Sequence, residues 1–153
     1  PINANFPNDQ VNNGPEIADN VITVGALNPK YGSELVASYS NYGKINVDIF
    51  APGTDIYSTY PNNDYEYSPG TSMAAPGVAG VAALVMSQYP SLTAAQVKKI
   101  ILNSGLPIKT KVVLGKNTGK SASLDEISTS GKIANAFNAL VMASKVAAGQ
   151  IEL

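Results

Sequence analysis

The chain has no histidine and no cysteine among its 153 residues. Without cysteine there is no disulfide, no thiol nucleophile and no thiolate-held zinc. Without histidine the commonest general base is missing, and little is left to hold a transition metal. Charge is scarce too: charged residues make up 14% of the chain, against about 25% in an average soluble domain. The net charge is −1 with no basic block, so nothing favours nucleic acid or an anionic membrane surface. No apolar run nears the roughly 18 residues that cross a bilayer. The most apolar stretch, Val78 to Met86, reads as a buried helix. No cofactor, metal, nucleic-acid or membrane partner is therefore expected.

What is present is enough for one domain with a substantial core. Only 10 basic residues among many Asn, Ser, Thr, Tyr and Gly lean toward an extracellular setting, secreted or in the cell envelope. The chain opens on Pro1 with no leader-like segment, which suggests a processed product or an excised piece.

Pro1 to Asp19 is polar and aperiodic and reads as loop. Asn20 to Ala26 and Val47 to Ala51 are β-branched, apolar runs of the kind found in doubly covered strands. Asp55 to Thr59 and Asp64 to Tyr67 flank Pro61-Asn62-Asn63 as a hairpin. Helices dominate after Gly70. The first spans about Ser72 to Gln88 and stops before Pro90. The second starts at Thr93, where Thr93-Ala94-Ala95-Gln96 spells a capping box, presents Val97, Ile100 and Ile101, and ends at Asn103-Ser104-Gly105. Val112 to Leu114 is a short strand and Gly115 to Ser123 a loop. A last helix, Asn135 to Ala148, puts Phe137, Leu140, Val141 and Ser144 on one face and ends at Gly149. Strands followed by helices suit the later part of an α/β layered domain.

The chemistry concentrates in Gly70-Thr71-Ser72-Met73-Ala74-Ala75-Pro76. Ser72 stands where a loop becomes a helix, and there free N–H groups and the positive end of the helix dipole can hold an oxyanion. A serine at a helix start is most often only an N-cap. Three features favour more than a cap. Gly70 allows close backbone approach. Pro76 cannot donate to the Ser72 carbonyl. Gly77 and Gly80 each give up about 1 kcal/mol of helix propensity relative to alanine, which makes sense for a helix packed tightly on other backbone.

This segment resembles the Gly-Thr-Ser-Met-Ala-x-Pro nucleophile signature of the subtilisin-like serine proteases. The likeness runs through the chain: Asn20 to Leu27, Ala37-Ser38-Tyr39-Ser40-Asn41-Tyr42-Gly43 (the family's Ala-x-Phe-Ser-Asn-Tyr-Gly), Asp48 to Gly53, Ser91 to Ser104 and Ser130 to Leu140 follow the family's order. The resemblance implies a partial subtilisin-like α/β fold, with parallel strands covered by helices and a helix-rich C-terminal part. Residues 1–153 would then be the C-terminal portion of one peptidase domain, incomplete by itself. It further implies Ser72 as nucleophile, Gly70 and Thr71 as substrate-binding positions, and a peptide or protein as substrate of the full-length enzyme. Two departures stand out. Gly77 replaces a histidine that is not the catalytic one. The family's Asp-Thr-Gly, His-Gly-Thr and oxyanion-asparagine segments lie upstream of this chain, so the fragment is expected to be inactive alone. The alternative is a catalytically silent binding or assembly module.

Other candidates read as ordinary structure. Asp9, Asp19, Asp48, Asp55 and Asp64 lack any cation-loop spacing and read as solvated or turn-forming acids. Asp125-Glu126 reads as surface charge. Tyr57, Tyr60, Tyr65 and Tyr67 either line a cleft or pack on the hairpin with wet hydroxyls. Asn3, Asn5, Asn12 and Asn13 lack the context of an oxyanion donor. Loss of half a domain would leave Val21, Ile22, Val24, Val47, Ile49 and faces of the first helix uncovered. A homodimer, or association with the missing N-terminal half, is expected.

Overall fold

The computed structural model describes residues 19–116 and 118–153; Asp9 and the four early asparagines lie outside that range. The centre is a four-stranded sheet with strand order β1-β2-β8-β5. Here β1 is Val24–Leu27, β2 Ile49–Pro52, β5 Leu106–Pro107 and β8 Lys132–Ile133. β1, β2 and β8 run parallel, and β5 is antiparallel to β8. β3 (Ile56–Tyr60) and β4 (Asp64–Ser68) form a separate hairpin, as do β6 (Val112–Val113) and β7 (Ser121–Ala122).

Both faces of the sheet are covered, which explains why β2 carries three apolar residues in succession. Ile49 and Ala51 join one core with the helices α1 (Thr71–Gln88), α2 (Ala94–Ser104) and α4 (Ala136–Ala147). Phe50 turns to the opposite core, built from Leu27, Val36, Val112 and the short helix α3 (Leu124–Ile127). Gly25 is the register partner of Phe50, and a Cβ on it would lie 2.3 Å from the ring. Phe50 has no exposed surface and so cannot swing away. Gly25→Ala should cost about 1–3 kcal/mol of stability, read as a lowered urea midpoint with unchanged slope.

Local rules account for several boundaries. Asn62 and Asn63 take φ of 67° and 62° in the hairpin turn, a conformation asparagine tolerates better than most residues. The capping box at Thr93 and Gln96 forms, its side chains and amides exchanging bonds of 3.2 and 2.9 Å. A second box, Ser123 with Glu126, starts α3. Asp125-Glu126 is surface charge, both residues being exposed, and also forms the first turn of that helix. The Ser123 N–H and hydroxyl hold the Glu126 carboxyl below its usual range, and the Ser123 hydroxyl does the same to Asp125.

Five expectations need correction. The first helix is buried along one stripe only, at Ala74, Val78 and Val85; Ala75, Ala79, Ala83, Leu84 and Met86 are exposed. Gly77 and Gly80 pack on nothing within 4 Å. α4 buries Ala139 and Ala143, while Phe137 and Val141 are 74% and 39% exposed: small residues let it approach α1 and α2 closely, and the bulky ones are left on its flank. Val47 and Ile49 are covered, whereas Val21 is 45% exposed. Asp48 is not solvated either: it is buried, accepts the Thr23 N–H at 2.9 Å and pairs with Lys98 at 3.2 Å.

Candidate active site

α1 begins without a side-chain cap. Gly70 occupies the N-cap position with φ 150° and ψ 158°, a mirror-image conformation that only glycine adopts without strain. Its carbonyl accepts from Met73 N and Ala74 N at 3.0 and 3.3 Å. Thr71 and Ser72 are therefore the first two helical residues, and Ser72 is not the cap. Its side chain is exposed. Its own N–H belongs to the first turn, where no residue four back in the helix can accept it. No acidic side chain sits in that turn, so the positive end of the dipole is left uncompensated. One turn on, Pro76 interrupts the helix ladder.

The approach to Ser72 rests on the turn after β2. Gly70 N–H donates to the Gly53 carbonyl at 2.7 Å, and a Cβ on Gly53 would lie 2.7 Å from both the Gly70 oxygen and Ala26 Cβ. Bare backbone at both positions lets the loop seat on β1 and β2. Beside Ser72 runs a groove of about 340 Å³ between one face of the hairpin (Ile56, Ser58, Tyr60) and the start of α1 (Ser72, Met73, Pro76). Of the four tyrosines, only Tyr60 lines it. Tyr57, Tyr65 and Tyr67 cluster on the other face of the hairpin, with ring centroids 5.7 and 4.8 Å from Tyr57.

Among the described residues no side chain is hydrogen-bonded to the Ser72 hydroxyl, although the Glu66 carboxylate lines the same groove from the hairpin. Asp48 is committed to Lys98. Asp64 accepts the Tyr65 N–H at 2.8 Å, and Asp55 sits in a turn with φ 57°. Among the described residues no three His, Cys, Asp or Glu side chains group to hold a metal ion, and no helix is long and apolar enough to cross a membrane. The arrangement can supply a hydroxyl, an N–H donor and a groove.

Sequence reasoning overlooked Tyr39 and Gly53 as neighbours of the site. Pro52-Gly53 reads as the turn that closes a strand and Tyr39 lies in a segment marked only by likeness, and neither signal points to the serine.

The sequence model described as the subtilase family matches residues 3–137. Subtilisin DY of Bacillus licheniformis is 41% identical over 102 residues, covering 67% of this chain and 36% of that protein. The subtilisin-like serine protease Rho m 2.0101 of Rhodotorula mucilaginosa is 43% identical over 112 residues, covering 65% and 32%. Among solved structures, a protease from Pseudoalteromonas arctica PAMC 21717 superposes with TM-score 0.64 at 30% identity over 81% of this chain and 36% of its own. The A-subunit of the AB5 toxin from E. coli gives 0.63 at 29% over 80% and 37%. The chain spans about a third of the length of these relatives.

Proposed function

This chain belongs to the subtilase family, and we propose that it is the nucleophile-bearing, C-terminal portion of a serine endopeptidase domain completed by residues outside it. In that enzyme Ser72 Oγ attacks the scissile carbonyl once a base from the complementing part takes its proton. The Ser72 N–H donates to the oxyanion that forms, and Gly70 and Thr71 flank the bound peptide. The adduct collapses with cleavage of the C–N bond as the base hands its proton to the leaving amine. Water then hydrolyses the acyl ester, releasing the acid and restoring the Ser72 hydroxyl. The observation that carries this reading is the N-terminus of α1: an exposed serine that caps nothing, with its N–H pointed out of an uncompensated helix end beside a groove.

The uncovered face of α1 supports the same picture. A helix apolar all round belongs in an interior, and here the side with Gly77 and Gly80 has open space. We assign that face to the complementing half of the domain, or to a second copy when that half is missing. Light scattering of the chain alone should show a dimer or larger species; a monodisperse monomer at high micromolar concentration would refute this. The scarcity of charge, with only 10 basic residues, suits a secreted or envelope-located parent.

The deciding experiment is covalent labelling. The isolated chain should ignore a fluorophosphonate probe, because Ser72 is an ordinary alcohol without a base. With the complementing region supplied, the probe should attach at Ser72, and Ser72→Ala should abolish the adduct. A folded assembly that contains the histidine yet leaves Ser72 unlabelled would establish a silent binding module instead.

A further inference from the structure

The peptide entering Ser72 is held by a side chain that the proposed catalytic roles leave unused. Tyr39 follows Ala37-Ser38 in the loop between β1 and β2, and its hydroxyl reaches three partners. It lies 3.1 Å from Gly70 N, 2.8 Å from the Gly53 carbonyl and 2.7 Å from Thr54 Oγ1. Thr54 Oγ1 in turn donates to Asn28 Oδ1 at 2.8 Å, and Asn28 Nδ2 donates to the Glu34 carbonyl at 2.9 Å.

A count of protons gives the chain a direction. Thr54 has one hydroxyl proton and gives it to Asn28, so toward Tyr39 it accepts. The Gly53 carbonyl already receives the Gly70 N–H at 2.7 Å. Tyr39 thus accepts a share of the Gly70 N–H and gives its own proton to Thr54 Oγ1, with the Gly53 carbonyl as second acceptor. The line runs Gly70 N–H to Tyr39 O–H to Thr54 O–H to Asn28, tying the loop after β1 and the turn after β2 to the residue two before the nucleophile. Bonds in such a line reinforce one another.

Gly70 needs that tether. Its φ of 150° lies where glycine is conformationally free, and its carbonyl opens the hydrogen-bond ladder of α1. A rotation at Gly70 therefore turns the first helical turn, and with it the Ser72 hydroxyl and N–H.

We infer that Tyr39, acting through Thr54 and Asn28, is a positioning residue that fixes the Gly70 peptide and so aims Ser72 at the scissile carbonyl. The inference rests on the reading of Ser72 as nucleophile. Tyr39→Phe keeps the ring and removes only the hydroxyl; Thr54→Val breaks the same line one step later. In the assembled enzyme, each should lower kcat for a peptide substrate about five- to tenfold with KM unchanged, the scale of one well-placed hydrogen bond. The double variant should be little worse than either single one, because both cut one line. Amide exchange of Gly70 should quicken about fivefold in Tyr39→Phe, while that of the buried Val85 stays the same. Unchanged Gly70 exchange, or faster exchange with unaltered kcat, would overturn the inference. If the wild-type assembly fails to label at Ser72, the reading of the nucleophile is what has failed.

Discussion

Incubated alone with casein or a peptide substrate, the 153-residue chain should release no product above the level of a Ser72→Ala control. Nucleophilic catalysis by serine needs a partner to take the hydroxyl proton as the bond to carbon forms. The sequence holds no histidine, Asp48 is held by Lys98, and Glu66, which lines the groove, makes no hydrogen bond to Ser72. What remains is an N–H donor and a groove, which together are worth on the order of 10³–10⁴ over the uncatalysed reaction. Removal of the nucleophile or base from subtilisin, itself a member of this family and the reference case for the figure, costs about 2 × 10⁶ in kcat. Joining the chain to the rest of its domain should therefore raise turnover by a factor of that order. Turnover by the chain alone that disappears in Ser72→Ala would contradict the scheme and require another base, with a lysine the first to examine.

The second large effect belongs to stability. Asp48→Ala should destabilise the fold by about 3 kcal/mol or somewhat more, the cost of orphaning one member of a buried ion pair. Asp48 Oδ2 meets Lys98 Nζ at 3.2 Å, with the two side chains only 9% and 16% exposed. The same oxygen takes the Thr23 N–H at 2.9 Å. The residue's carbonyl accepts from Ser130 N and Ser130 Oγ at 3.0 and 2.7 Å. One aspartate thus joins the chain before β1, helix α2 and the loop before β8. Asp48→Asn keeps an acceptor for Thr23 and should recover about 1 kcal/mol relative to alanine. Adding Lys98→Met to it should recover more, since no unpaired ammonium is then left in the interior. Urea midpoints of the four proteins test the order; equal midpoints for Asp48→Ala and the parent would show that the pair contributes nothing.

The legible parts of this fold were those governed by short-range chemistry. Thr93 with Gln96, Gly149 behind the last helix, and Asn62-Asn63 in the hairpin each satisfy a local hydrogen-bond or φ requirement, so their neighbourhoods report them. Gly-Thr-Ser-Met-Ala-x-Pro placed Ser72 at a helix start for the same reason. Features decided by distant segments were hidden. Asp48 looked like any acid because Lys98, its partner, is fifty residues away. The face of α4 was misjudged because size complementarity with α1 and α2, and not hydrophobicity, put Ala139 and Ala143 inside and left Phe137 out. Tyr39 showed nothing because its partners come from two distant segments, the turn after β2 and the residue before α1.

Helix α1 is poorly equipped to exist unaided. It contains Pro76, Gly77 and Gly80, has no acid in its first turn and no base in its last, and so has little intrinsic propensity and no relief at either end of its dipole. Its order is borrowed from the sheet and from α2 and α4, and only along one stripe. In the chain alone, α1 is thus the cooperative unit we expect to open first, exposing the stretch around Ser72 to cleavage by other proteases. Covering its far side raises the free energy of that opening. The contact that delivers the base would then also lock the nucleophile in place, making assembly and activation two readings of a single equilibrium.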